Sequence, residues 1–456
     1  MARRFGARRR YVVMPGEGVT SEAMQSAVAG MRTGIVRFAT DNVGRYGHFA
    51  ANTMVSAARS VSDELSEAVG GADLEVVSQR FPDGPAVVSM THAGRLALEA
   101  ANPDLRVLPI TTYYLPGRKP QRAKARAAGA VPSGISAVDA AGAVFTADAK
   151  QYFLAGEVNG HQNGKGVTVG IIDTGIDSTH QALAPSVALL RCLIAGADPT
   201  SGRPVDWGAA WAEEAGHGTH VAGIIAAQPG HGGPAGVAPD AKVIGYRVFP
   251  DTGGAPKGAE NPEIINSIRA AIDDGCDIVN LSIEGPKLRE DGVRSAINDA
   301  WIRGVVCVAA AGNGFGLPVS YPAAQPHCVA VTAIGRDGAF QPVPAFTAHV
   351  SNQRSAVDPA IFLASFSNFG PQVQFTAPGH AIVSTFPNGG WWIMSGTSMA
   401  APFVSGMLAR FLSGNSNIMA MERNAKRSAA MVQMLIGRAK VLRLPQAAQE
   451  GYGLPA

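Results

Sequence analysis

The sequence contains few charged and few aromatic residues. Of its 456 residues, 16% are charged and 7% aromatic, whereas 46% are hydrophobic and 54 are glycine. Disordered and fibrous chains do not have this composition, which is typical of a tightly packed α/β enzyme with room for two or more domains. The net charge is only +3, so electrostatics do not demand a nucleic-acid partner, and we expect none.

Long apolar runs are also missing. No stretch approaches the ~18 consecutive apolar residues that a membrane helix needs. The basic start MARRFGARRR is followed only by YVVM before charged and glycine-rich sequence resumes, which is too short for the apolar part of a secretory signal. We therefore expect no membrane partner and a cytoplasmic protein, unless export follows another route.

Cysteine is scarce as well. The chain has four cysteines, Cys192, Cys276, Cys307 and Cys328, and none of them forms a CxxC pair. This argues against both a disulfide framework and a zinc site. Cys307 and Cys328 lie in apolar runs and are expected to be small buried hydrophobes.

Three regions differ in pattern. Residues 1–117 mix short strands with helical stretches, which predicts a small α+β domain with an antiparallel sheet. Residues 118–146 are rich in Ala, Gly, Pro and basic residues and predict an exposed linker. Residues 147–456 alternate nearly continuous apolar strands with helices, which predicts an α/β domain with a largely parallel sheet and helices on both faces.

The stretch GTSMAAPFVSGMLARFL, residues 396–412, predicts a buried helix with Ser398 at its start. Pro402 is expected within the first turns, where a missing N–H is tolerated. Free N–H groups and the positive end of the helix dipole would then stabilise an oxygen that gains charge near the Ser398 hydroxyl. For a single serine, a helix cap is the more common explanation.

Three further residues follow predicted strand ends or open helices. Asp173 ends VTVGIID, His217 opens HGTHVAG, and Asn313 follows the strand VVCVAAAG. Each by itself is commonly a turn or cap residue. Together with Ser398 they supply a nucleophile, a base, an acid that orients the base, and an amide that can hold an oxyanion, which is the complement needed for acyl transfer.

The segments DTGID, HGTHVAG, AAGN and GTSMAAP, in this order, resemble the signature segments of the subtilisin-like serine proteases. The resemblance covers roughly residues 147–456. It implies a subtilisin-like serine endopeptidase with Asp173 as the orienting acid, His217 as the general base, Ser398 as the nucleophile and Asn313 as the oxyanion donor. In that family pattern, His220 is structural.

The N-terminal region is similar to the inhibitory propeptide of the same family. The resemblance implies a ferredoxin-like domain that aids folding and acts as an intramolecular inhibitor until self-cleavage near residues 115–126. The helical sequence inserted before residue 70 departs from the family pattern. A regulatory domain that is never removed is the alternative.

The segment SIEGP lies where the family has the strand beside its primary specificity pocket. Ser282, Ile283, Glu284 and Gly285 are therefore predicted to bind substrate, with Ser282 and Gly285 pairing with an extended peptide backbone. Glu284, together with Glu260 and Glu263, would make the cleft acidic and favour Lys or Arg near the cut. The alternative is that Glu284 points to solvent or bonds a neighbouring loop.

Calcium is not expected to be required. The sequence QPGHGGPAGVAP offers few oxygen side chains where the family often has a calcium loop, and Ala182 replaces an acidic ligand. Because calcium takes six to eight oxygen ligands, only a weak site remains possible.

We therefore predict a self-processing serine endopeptidase that acts on peptides or proteins, and two rival functions remain open. One is a peptide ligase or macrocyclase in which an amine resolves the acyl-enzyme. The other is a pseudoprotease that binds peptides without cutting them.

Overall fold

The computed structural model describes residues 9–15, 74–79, 86–101, 105–116, 163–194, 216–250, 258–285, 291–340 and 344–456. The chain divides into two compact units, Met1–Thr111 and Thr112–Ala456. Residues 112–117, which the sequence pattern assigned to the first domain, thus belong to the second unit. The predicted linker, 118–146, and the helical insertion before residue 70 lie outside the described residues.

The first unit contains a four-stranded antiparallel sheet. Its elements are the strands β1 Arg9–Pro15, β2 Leu74–Gln79, β3 Ala86–Met90 and β4 Leu105–Pro109, and the helix α1 His92–Ala101. The strand order is β2-β3-β1-β4, with β1 between β3 and β4. A ferredoxin-like sheet has this order. In the core of this unit, alternate residues of β1, such as Tyr11 and Val13, lie in one buried cluster with Leu98 of α1.

The segment LRVLPITTYYL, residues 105–115, contains two strands. After β4 ends at Pro109, a separate strand β5, Thr112–Tyr113, pairs antiparallel with β9, Ala259–Glu260, within the second unit. Proline has no N–H to continue a ladder, which favours the end of β4 at this residue.

The second unit is built on an eight-stranded sheet. Its strands are β6 Thr168–Asp173, β7 Val187–Cys192, β8 Lys242–Arg247, β10 Ile278–Leu281, β11 Val306–Ala310, β12 Cys328–Arg336, β13 Ile361–Leu363 and β14 Val373–Pro378. The order is β13-β12-β11-β10-β6-β8-β7, with β14 also paired to β12. All pairs are parallel except β12 with β13, as the apolar strands predicted.

Helices cover both faces of this sheet. They are α2 His217–Ala226, α3 Asn261–Asp273, α4 Asp291–Ile302, α5 Pro344–Thr347, α6 Thr397–Ser413, α7 Ser416–Met419 and α8 Ala425–Ile436. Val169 and Ile171 of β6 join the core cluster that contains α2 and α6. Gly170 faces the other way, because a Cβ built there would lie 3.4 Å from the Cβ of Ala271 in α3.

Two hairpin-like strand pairs complete the unit. They are β15 Ile382–Phe386 with β16 Gly390–Met394, and β17 Ala439–Lys440 with β18 Leu454–Pro455. Within the parts of the chain that the structure describes, no helix has the length and apolarity to cross a membrane.

Candidate active site

Asp173 and His217 meet where β6 ends and α2 begins. His217 Nδ1 lies 2.8 Å from Asp173 Oδ1 and 3.0 Å from Oδ2, and both side chains are almost fully buried. The Thr174 N–H also donates to Asp173 Oδ1, at 2.7 Å. A carboxylate fixed in this way holds the proton on Nδ1 and leaves Nε2 of the imidazole as the basic nitrogen.

Gly218, directly after His217, allows the helix to approach the strand end. A Cβ at this position would lie 2.2 Å from the Gly175 carbonyl oxygen and 3.1 Å from the Cβ of Asp173. The Gly218 N–H donates instead to Thr174 Oγ1 at 3.0 Å. Any larger residue would therefore push His217 away from its carboxylate.

His220, the second histidine of the same helix, is fully buried. Its Nε2 lies 3.1 Å from the carbonyl oxygens of both Ile382 and Trp392. Burial, and secondarily the nearby His217, lower the pKa of His220 to about 3. The imidazole is thus neutral near pH 7 and donates its proton to backbone of the β15–β16 pair, as a structural residue would.

Ser398 is the second residue of α6, which packs against α2. Pro402 lies within the first turns of α6, as the sequence predicted, four residues after Ser398. Because proline has no N–H, the Ser398 carbonyl lacks its helical donor. The hydroxyl of Ser282 takes that place and donates to the Ser398 carbonyl oxygen at 2.9 Å.

Asn313 lies three residues beyond the end of β11, and its amide is oriented by Thr397. The Thr397 N–H and hydroxyl both donate to Asn313 Oδ1, at 3.0 and 2.8 Å. The Gly312 N–H donates to Thr397 Oγ1 at 3.1 Å. Thr397 therefore belongs to the site, although sequence reasoning singled out only its neighbour Ser398.

With its oxygen occupied in this way, Asn313 directs its Nδ2 toward Pro116. Asn313 Nδ2 donates to the Pro116 carbonyl oxygen at 3.2 Å. A Cβ built on Gly396 would lie 3.0 Å from Asn313 Nδ2 and 3.6 Å from the Ser398 nitrogen. The Asn313 amide and the Ser398 N–H, the two groups that could hold an oxyanion, therefore both lie next to Gly396. An amide donor that holds a carbonyl oxygen and is itself bonded to the start of the Ser398 helix suits acyl transfer to that serine.

The segment ending in Pro116 is bound as an added strand. Thr112 and Tyr113 pair with Glu260 and Ala259, and Tyr114 and Glu284 donate to each other's carbonyl oxygens at 2.7 Å in both directions. Main-chain pairing of this kind is how extended peptides are recognised independently of their side chains.

This pairing differs from the prediction for SIEGP. Glu284, and not Ser282 or Gly285, exchanges hydrogen bonds with the peptide backbone. The Gly285 N–H donates to the Tyr321 carbonyl, and the Ser282 hydroxyl supports α6. Ile283 is fully buried.

Two glycines make room for Tyr113, whose side chain is completely buried. A Cβ on Gly285 would lie 2.4 Å from the Tyr113 ring, and one on Gly258 would lie 2.3 Å from the Tyr113 carbonyl oxygen. No feature of the sequence around Gly258 indicated this role.

Among the described residues, no group of three or more His, Cys, Asp or Glu side chains is arranged to hold an ion. Ala182, which replaces the acidic calcium ligand of the family pattern, is fully buried in an apolar cluster with Val383, Trp391 and Ile393. A carboxylate-bound cation does not fit these surroundings. All four cysteines are buried.

Comparison with known proteins agrees with this geometry. Residues 164–453 match the Subtilase family. The chain is 36% identical over 253 residues to the major intracellular serine protease of Bacillus subtilis, covering 54% of this chain and 68% of that protein. It is 33% identical over 254 residues to subtilisin DY of Bacillus licheniformis, covering 55% and 78%, and 34% identical over 245 residues to thermitase of Thermoactinomyces vulgaris, covering 54% and 74%.

Proposed function

The chain belongs to the subtilase family and is a serine-type endopeptidase, and from this premise we propose that Ser398, His217, Asp173 and Asn313 carry out its chemistry. The Ser398 hydroxyl attacks the peptide carbonyl carbon, while His217 Nε2 takes its proton. The hydrogen bonds that His217 Nδ1–H donates to the Asp173 carboxylate support this role, because they fix the tautomer and stabilise the imidazolium that forms.

Asn313 Nδ2 and the backbone N–H of Ser398 hold the negative oxygen of the tetrahedral intermediate. His217 then returns the proton to the leaving amine as the C–N bond breaks, which leaves an acyl-enzyme on Ser398. A water molecule, deprotonated by the same imidazole, releases the acid.

The observation that carries the proposal is the hydrogen bond from Asn313 Nδ2 to the Pro116 carbonyl. It supports Pro116 as the residue whose carbonyl carbon is attacked. We therefore propose that the protein is made as a zymogen and cleaves its own Pro116–Gly117 bond, within the interval 115–126 expected from the sequence.

After that cut, residues 112–116 would remain in the cleft as the product end of the N-terminal part. The β5–β9 pairing and the buried Tyr113 support their role as an intramolecular inhibitor. The N-terminal domain, residues 1–117 in the sequence-based division, would be the propeptide that carries them, followed by the linker 118–146 and the peptidase domain 147–456.

The preference for Lys or Arg near the cut is a separate proposal. Glu260 lies opposite Thr112 in the β5–β9 pair, at the outer end of the bound segment. Arg118 and Lys119 are the second and third residues after the proposed cut. We propose that basic side chains are favoured at such outer positions rather than at the residue whose carbonyl is attacked.

We also propose that the enzyme works without calcium and in the cytoplasm. The apolar packing of Ala182 supports the first statement. Free thiols at Cys276, Cys307 and Cys328 suit a reducing compartment, as does the similarity to a protease described as intracellular.

The function is tested with the peptide Thr-Tyr-Tyr-Leu-Pro-Gly-Arg-Lys, which copies residues 112–119. Wild type is expected to split it after Pro, and Ser398→Ala to leave it intact. Products in which the first five residues are joined to an added amine, rather than released as the acid, would instead identify a ligase. Binding without any product in wild type would identify a pseudoprotease.

A further inference from the structure

Glu284 contacts Asn313 of the proposed reaction centre and is only 5% exposed. Residues directly opposite each other in an antiparallel pair place their side chains on the same face. Glu284 lies opposite Tyr114. Its side chain is therefore on the same face of the bound segment as the side chain of Tyr114, which is two residues before Pro116.

The Glu284 side chain extends along this face toward the reacting carbonyl. Its Oε2 accepts a hydrogen bond from the Asn313 N–H at 3.3 Å. The side-chain amide of the same Asn313 holds the Pro116 carbonyl oxygen at 3.2 Å. The carboxylate thus contacts the same residue, Asn313, that holds the Pro116 carbonyl.

Two other polar side chains pack against the carboxylate over Gly312. A Cβ built on Gly312 would lie 2.9 Å from Glu284 Oε2, 2.7 Å from Ser320 Oγ and 2.5 Å from Asn368 Nδ2. Hence the space over Gly312 does not admit even a methyl group.

These neighbours are held in place by their own hydrogen bonds. Asn368 Nδ2 donates to Ser320 Oγ at 3.2 Å, and Asn368 Oδ1 accepts from the Gly314 N–H at 2.7 Å. Both side chains are buried. A larger substrate side chain would therefore have to displace Glu284 itself.

We infer that Glu284 fills the pocket beside the scissile carbonyl and restricts the residue there to compact side chains such as Pro or Ala. The inference rests on the proposed function, because it takes Pro116 as the residue that is attacked. Buried Pro116 is itself such a compact occupant. Filling of a pocket by an enzyme side chain excludes larger groups by steric overlap, and it discriminates by tens to hundreds of fold.

The test uses the purified full chain and the peptides Thr-Tyr-Tyr-Leu-X-Gly-Arg-Lys with X as Pro, Ala, Phe or Lys. Wild type is expected to cleave the Pro or Ala peptide with a kcat/KM at least about tenfold above that for Phe or Lys. In Glu284→Gly, the ratio of kcat/KM for Phe to that for Ala should rise about tenfold or more. Glu284→Gln, of equal size, should keep the wild-type order.

Other results would overturn the inference. A wild-type preference for Lys over Ala that disappears in Glu284→Gln would show that the carboxylate attracts a cation. An unchanged ratio of Phe to Ala in Glu284→Gly would show that Glu284 does not fill the pocket. Failure of wild type to cleave any of the peptides, with no labelling of Ser398 by a fluorophosphonate, would instead overturn the proposed function.

A second readout within the chain does not depend on added peptides. Pro116→Phe is expected to slow the cut after residue 116 by about tenfold or more, and adding Glu284→Gly should restore much of the rate. If Pro116→Phe is processed at the wild-type rate, the pocket is not restricted. If Glu284→Gly does not fold, Glu284→Ala takes its place in both experiments.

Discussion

The hydroxyl of Ser282 donates a hydrogen bond of 2.9 Å to the carbonyl oxygen of Ser398, the group that Pro402 leaves without a helical donor. The strand end that carries the substrate-binding residues is thereby tied to the first turn of the helix that carries the proposed nucleophile. Asn280 Nδ2 in turn donates to Ser282 Oγ at 2.9 Å. The proline in α6 thus makes the start of the helix depend on its neighbour strand.

Ser282→Ala should lower the free energy of unfolding by about 1–3 kcal/mol, because a buried carbonyl oxygen loses its partner. Urea denaturation in the Ser398→Ala background, where self-digestion is prevented, measures the loss. Pro402→Ala supplies the missing N–H, so the loss caused by Ser282→Ala should be clearly smaller in its presence. Strictly additive losses would contradict this reading of the hydrogen bond.

Asn313→Ala should lower kcat far more than it raises KM, because its amide holds the oxygen most strongly when that oxygen becomes charged. Loss of a corresponding donor in subtilisin lowers kcat by about 10²–10³, and we adopt that magnitude from subtilisin. Steady-state kinetics on the peptide copied from residues 112–119 measures the effect. Asn415→Ala, which removes a cap on α7, is the control and should keep wild-type kinetics. An unchanged kcat in Asn313→Ala would remove Asn313 from the mechanism.

Gly285→Ala should slow self-cleavage, because its Cβ would lie 2.4 Å from the Tyr113 ring. Gly437→Ala is a matched control, since the nearest atom to a Cβ there is 3.5 Å away. The time course of processing, followed on a denaturing gel, measures the rate. In a Tyr113→Ala chain, Gly285→Ala should slow self-cleavage little further. If it slows cleavage there as much as in the wild-type chain, the added methyl group does not act by obstructing Tyr113.

Acid should destabilise the peptidase unit through two buried histidines. Burial lowers the pKa of His220 to about 3 and that of His380 to about 4, from an ordinary value of 6.5. The unfolded chain then binds protons that the folded chain does not, so stability is complete above about pH 6.5 and falls as the pH drops toward 4. Each histidine contributes roughly 1 kcal/mol per pH unit in this window.

Urea denaturation of Ser398→Ala at pH 7, 6 and 5 measures this dependence. His380→Gln, which can still donate to the Phe346 carbonyl, should reduce the slope. His327→Gln is the control, because its imidazole is exposed and should leave the slope unchanged. A pH dependence that is equal in all three proteins would contradict the assignment to buried histidine.

Calcium chelation should leave the thermal unfolding midpoint of Ser398→Ala within about 2 °C of its value with calcium, because a ligand that is not bound cannot stabilise. Differential scanning calorimetry with EDTA or with added calcium measures the shift. Ala182→Asp should lower the midpoint in both buffers, since it puts a carboxylate among Val383, Trp391 and Ile393. A large loss of stability on chelation would contradict the absence of a strong site.

The sequence predicts well what local patterns determine. Apolar runs identify the parallel strands, and the signature segments place Asp173 and His217 at adjoining element ends, where the structure joins them by a hydrogen bond. Small residues beside functional ones, such as Gly218, are recognisable in the same segments.

Relationships between distant segments were not predictable. The pairing of Thr112–Tyr113 with Ala259–Glu260 depends on how two remote pieces of chain meet in the fold. For the same reason, Glu284 replaces Ser282 and Gly285 as the residue that pairs with the bound backbone. The dipeptide Pro116–Gly117, which favours a turn, was the only local indication that the bound extended segment ends at Pro116.

Intact mass spectrometry of the purified wild-type chain beside Ser398→Ala tests the central claim most directly. Wild type should lose residues 1–116 and begin at Gly117, while Ser398→Ala keeps its full mass. This result would support the nucleophile, the self-processing and the position of Pro116 together. Two chains that both stay whole, or a wild-type chain cut at a site other than Pro116–Gly117, would contradict the account.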